Sequence, residues 1–180
     1  GQDGTNLGVV VAGYDVTNRK VAEDALSLQS KFNELLLAPN DIKQILDVVL
    51  DAIMELDGIA AGGIYLAAPD GGLELAAHRG MPQEYIATVM HHPVDSPITR
   101  RLQRGEALYG DAPNLSAEAR RAGARSMGAM PIMYNGQLLA AFTVVSRTLD
   151  AISPTARMVL TGLAARVGDV IIRVQAESAL

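Results

Sequence analysis

The dipeptide Asn135-Gly136 constrains this chain more than any other feature. It sits between two apolar runs, Gly128–Met133 and Leu138–Val145. A two-residue type I′ turn requires positive φ at both central positions, which Asn and Gly tolerate best. The turn predicts a register. Met133 faces Leu138, Ile132 faces Leu139, Pro131 faces Ala140 and Met130 faces Ala141. Ala129 then faces Phe142, Gly128 faces Thr143 and Met127 faces Val144. Both faces of this hairpin are mostly apolar, so it belongs at the centre of a sheet covered on both sides.

The remaining punctuation divides the chain into short elements. Asn40 or Asp41 caps a helix after Pro39. Its stripe is Ile42, Ile45, Leu46, Val49, Ile53 and Leu56, and Gly58 stops it. Ala61–Ala68 and Leu73–Arg79 read as a hairpin around Pro69-Asp70-Gly71-Gly72. A short helix, Gln83–His91, is followed by a loop, His91–Asp95. Ser96-Pro97 opens a helix that stops at Gly105. A short strand, Ala107–Gly110, precedes a short helix, Ser116–Ala122. Ser153-Pro154 opens a closing helix to about Ala179. This order predicts an α+β fold: an antiparallel sheet of five or six strands with helices on both faces and long terminal helices. The terminal helices take one face, and Met81–Ala122 covers the other.

Two seams alternate spacings of four and three. Val21, Ala25, Leu28, Phe32 and Leu35 form one, and Leu163, Val167, Val170 and Val174 belong to the other. Each reads as a heptad face for a partner helix from a second copy, or as an amphipathic helix lying on its own domain. The first reading makes the chain a homodimer.

Composition removes several classes of function. There are no cysteines, hence no disulfide, thiolate metal site or cysteine nucleophile. The net charge of −5 disfavours nucleic acid as a partner. No apolar run approaches the ~20 residues of a membrane span, so the expectation is a cytoplasmic domain without membrane contact. His91 and His92 are adjacent and do not form the i, i+4 pair that chelates, so no metal site is expected. Ser96, Ser116 and Ser153 stand at helix N-caps, no phosphate-binding glycine loop occurs, and no catalytic residues are expected.

The stretch Gly123–Arg147 carries a resemblance. A small-residue approach leads to Arg125-Ser126, a strand through Pro131-Ile132, the tight turn, a second apolar strand, a loop and the long helix. Together these resemble the C-terminal half of a GAF domain, and the likeness extends over roughly residues 32 to 177 by the order of elements. The family usually has Gly near Ala140 or Ala141, where this chain has Ala. Gly8–Leu26, with Asp15, Thr17, Arg19 and Lys20, is similar to the exit of a PAS domain; the plainer alternative is a strand of the main sheet. The implied organisation is a PAS-like end (1–18), a linker helix (19–38), a GAF-like domain (39–177) and the start of a further linker (178–180).

The resemblance implies a sensory module of a multidomain signalling protein such as a sensor histidine kinase, with a small-molecule pocket between the sheet and Met81–Ala122. Side chains that could line it are Tyr65, His78, Met90, His91, Tyr109, Met127 and Thr143. Its cofactor is unknown. Covalent bilin and thioether-linked haem require the missing cysteine, as do the family's sulfoxide-reducing enzymes. The alternative is a ligand-free dimerisation spacer, its pocket filled by its own Met and Leu side chains.

Overall fold

The chain divides into two units, Gly1–Ala38 and Pro39–Leu180. The computed structural model describes residues 41–179 and, before them, Arg19, Glu23, Leu26, Ser27 and Ser30, which are helical. The strand and PAS-like exit expected before Arg19, and the seam Val21, Ala25, Leu28, Phe32 and Leu35, lie outside the described residues.

In the second unit, helix α1 (Ile42–Met54) leads to β1 (Ala61–Ala67) and β2 (Leu73–Arg79). Helix α2 (Gln83–Val89), β3 (His91–His92), helix α3 (Pro97–Gln103) and β4 (Leu108–Asp111) follow. A 3-10 turn and helix α4 (Ala117–Arg121) precede β5 (Ser126–Tyr134), β6 (Gln137–Ser146) and helix α5 (Pro154–Ser178). All pairings are antiparallel, in a six-stranded sheet of order β3-β2-β1-β6-β5-β4. The caps are the expected ones. Asp41 accepts from the Lys43 amide, and Ser96, Ser116 and Ser153 each accept from the amide three residues on. These bonds satisfy donors that a helix start otherwise leaves open. Among the described residues, no helix is long and apolar enough to cross a membrane.

The central turn is type I′, with Asn135 at φ 49 and Gly136 at φ 77. The predicted register holds only for its first row. Met133 faces Leu138, but Ile132 faces Ala140, so Leu139 is an extra residue in β6. Beyond this β-bulge every pair is displaced by one: Gly128 faces Val144, and Thr143 faces Ala129. Pro131 falls where β4, which pairs only as far as Ala129, leaves one side of β5 without a strand. That is where a sheet tolerates a residue with no N–H.

The two faces are now defined. Ile64, Phe142, Val144 and Ile132 are buried under α1 and α5. A side chain at Gly62 would meet Leu50 and Met54 of α1, and one at Gly168 of α5 would meet Ile132 and the Met133 carbonyl. On the opposite face, Tyr65, Leu73, Ala129 and Ala141 pack with Leu102 of α3. Ala61 and Val145 pack with Ala119 of α4, joined by Met81 and Tyr85.

The seam on α5 needs a correction. Leu163, Val167, Val170 and Val174 are buried within their own chain. They belong to the side of α5 that turns inward, while Met158, Thr161, Ala165 and Asp169 are exposed. Alternating fours and threes describe any helix with one apolar face, so the spacing could not separate the two readings.

Candidate functional site

The sheet face under α3 and α4 is incompletely filled. The reason is local. Gly63 contributes no side chain to this face, Ala61 and Ala129 contribute one carbon each, and α2 has no fully buried residue. A cavity of about 550 Å³ remains between the sheet and the α2–α4 segment. That lies within the roughly 300–1,000 Å³ typical of small-molecule sites. Met81, Val89, Ile98, Leu108, Leu115 and Met127 supply apolar wall.

Polar tips interrupt that wall. Tyr65 stands at the centre of the face and is 3% exposed. His92 borders it, with ring centroids 5.1 Å apart and planes tilted by 48°. Tyr85 enters from α2. Among the described residues, neither tyrosine hydroxyl nor the His92 ring makes a hydrogen bond. Burial, and then the neighbouring Tyr85, pushes the Tyr65 phenol well above its usual range. Burial, and then Glu118, raises Tyr85. Burial, and then His91, lowers His92 below its ordinary 6.5. Near neutral pH all three are therefore uncharged. Thr143 Oγ1 makes a long bond, 3.4 Å, to the Gly63 carbonyl. The charged side chain of the wall is Arg101, which is exposed and held by Glu106 at 2.9 Å.

The expected lining residues separate. Tyr65, Met127 and Thr143 meet on this wall. Tyr109 borders the cavity through its strand, but its ring turns away. It pairs with Gly128 and fills the space a Gly128 side chain would occupy, 2.8 Å from that position. The guanidinium of Arg157, on α5, lies 4.0 Å over the ring, and the buried phenol oxygen has no partner among the described residues. His78 is exposed and stands outside the wall. Met90 is the residue that ends α2 and is 58% exposed. His91 points away because it occurs in a strand, not a loop. Its partner is Glu74, whereas His92 pairs with buried Leu73 and so shares the cavity face. His91 instead lies 3.7 Å from Asp70.

Sequence reasoning missed His92, Tyr85, Met81 and Leu108. Had β3 been seen as a strand, period-two alternation would have sent the two imidazoles to opposite faces, while pairing with Leu73 and Glu74 decides which one turns inward. Among the described residues, no group of three or more His, Asp or Glu side chains could hold a metal ion.

The family model described as GAF domain matches residues 39–171. No curated protein matches the chain. Solved structures share the fold. The GAF domain of a phosphoenolpyruvate-protein phosphotransferase from Coxiella burnetii superposes with a TM-score of 0.71 at 21% identity, covering 88% of this chain and 99% of its own. A domain assigned to a two-component sensor histidine kinase protein from Sinorhizobium meliloti 1021 gives 0.66 at 22% identity, covering 77% and 96%. Free methionine-R-sulfoxide reductase from Neisseria meningitidis, solved with its substrate, gives 0.66 at 17% identity, covering 80% and 86%.

Proposed function

The chain belongs to the GAF domain family, and on that premise we propose that it is a sensory module which binds a small molecule in the cavity under α2–α4. The observation that carries this reading is the cavity itself: about 550 Å³ of space, lined by Tyr65, Tyr85 and His92, whose polar tips have no hydrogen-bond partner among the described residues. A spacer would be expected to fill this volume with its own side chains, since empty space forfeits packing energy.

The same geometry suggests how occupancy is relayed. β1, β5 and β6 present one set of side chains to the cavity and the alternate set to α1 and α5. A ligand that binds one packing of the sheet better than another shifts the population of that packing, and the terminal helices on the opposite face follow. The module is non-catalytic in this reading and belongs to a multidomain signal-transduction protein. The neighbour assigned to a sensor histidine kinase supports that setting. Homodimerisation is part of the proposal, through the outward side of α5 rather than its inward seam.

Native mass spectrometry of the 180-residue chain, beside a denatured sample, tests this reading. A dimer carrying non-covalent mass, lost in an Ala129→Leu variant that narrows the cavity, is the expected result. Bare protein that also shows no thermal shift across a library of uncharged metabolites would overturn ligand binding. A monomer would overturn the dimer.

A further inference from the structure

The cavity wall discriminates by charge. Among the described residues of the wall, only Arg101 is ionised near neutral pH, and it is engaged outside the cavity: Arg101 Nε lies 2.9 Å from Glu106 Oε2, and Arg104 lies 2.9 Å from the other oxygen. Arg101 and Arg104 hold the Glu106 carboxyl below its usual range, so this network stays ionised near neutral pH. Among the described residues, no Asp or Glu lines the wall to receive a cation. Glu118 adds negative potential next to Tyr85 from outside. A cation entering the cavity would lose its water and find no counter-charge, and an anion would have to draw Arg101 away from Glu106; either is costly where water is displaced.

The polar tips state what is recognised instead. A protonated phenol is a hydrogen-bond donor, and a neutral imidazole offers one donor and one acceptor. Tyr65, Tyr85 and His92 thus provide up to three donors to one molecule, beside apolar Met81, Ile98 and Leu115.

We infer that the cavity takes an uncharged small molecule with a hydrogen-bond acceptor directed at Tyr65, Tyr85 and His92, and rejects ions of the same shape. The inference rests on the binding role proposed above and narrows it to one chemical class: neutral compounds bearing a carbonyl, a sulfonyl or a ring nitrogen on an apolar body. Phosphate-bearing nucleotides and free carboxylates fall outside that class.

A matched pair of fluorescent probes tests this on the full chain. Dansylamide is uncharged, and the corresponding sulfonate has nearly the same shape with one negative charge. In titrations at neutral pH, dansylamide should bind at least about tenfold more tightly than the sulfonate, because a buried charge left without a partner costs that much or more. Tyr65→Phe keeps the ring and removes the donor. It should weaken dansylamide by about fivefold with an unchanged far-ultraviolet spectrum. Sulfonate binding as tight as that of the amide would overturn charge selection while leaving the binding role intact. Failure of both probes to bind saturably, or binding that survives Ala129→Leu unchanged, would overturn the cavity as a ligand site and the inference with it.

Discussion

Two alanines on one sheet face make opposite predictions when each is enlarged to leucine. Ala129 and Ala141 are 6% and 0% exposed, and both pack in the cluster with Tyr65, Leu73 and Leu102. A burial criterion treats them alike. The cavity separates them, because Ala129 lines it and Ala141 does not. Ala141→Leu forces three carbons into filled space and should cost about 1–3 kcal/mol. Ala129→Leu directs the same carbons into a void. At ~0.8 kcal/mol for each buried methylene the gain is at most about 2 kcal/mol, less up to about 1 kcal/mol of lost rotamer freedom. Ala129→Leu should therefore leave stability unchanged or raise it by about 1 kcal/mol. The gap between the variants is about 1–4 kcal/mol, or roughly 2–16 °C in melting temperature at about 2–4 °C per kcal/mol for a chain of this size. Urea and thermal denaturation, followed by far-ultraviolet circular dichroism on ligand-stripped protein, measure it. Equal losses in the two variants, or a loss above about 1 kcal/mol for Ala129→Leu, would refute the cavity as open space.

Other positions test the scaffold and its titration. Gly136→Ala meets no atom within 4 Å, so its cost is the backbone strain of φ 77 alone, about 1 kcal/mol; a loss of several kcal/mol would show that the turn is crowded after all. Ser153→Ala removes the acceptor for the Ala156 amide and should cost about 1 kcal/mol, with Ser153→Asp recovering most of it in the same melts. His92 is held below 6.5, so the unfolded chain takes up its proton first as pH falls. Stability contributed by neutral His92 is present above that value and declines below it, levelling off once the folded form is also protonated. His92→Phe should flatten this part of the stability–pH curve, and an unchanged slope would exclude His92 as its source.

The hairpin was legible because its information is local. Asn135-Gly136 admits few turns, and the serine caps and glycine stops around the other elements act within three or four residues. The antiparallel sheet with helices on both faces followed from the same punctuation. The cavity was not legible to the same degree, because its members are set by which way each strand residue points, and a single residue decides that. Without the bulge, Thr143 would have faced Gly128 and pointed away from Met127. With Leu139 left over, Thr143 pairs with Ala129 and lies on the face of Met127. The expected pair Met127 and Thr143 thus meets on the cavity wall through a displacement that the turn residues do not encode. The opposite happens at Tyr109. Pairing with Gly128 sends its ring under Arg157, and the empty place it fills exists only because residue 128 has no side chain. At β3 two residues are too short to show a period, so nothing in His91-His92 tells which imidazole turns inward until Leu73 and Glu74 are beside them. In each case the deciding contact lies on another strand. Elements of this fold can be read from neighbours in sequence, but the lining of its cavity is fixed by register, and register is set here by the bulge in β6 and by a second register shift where β1 meets β2.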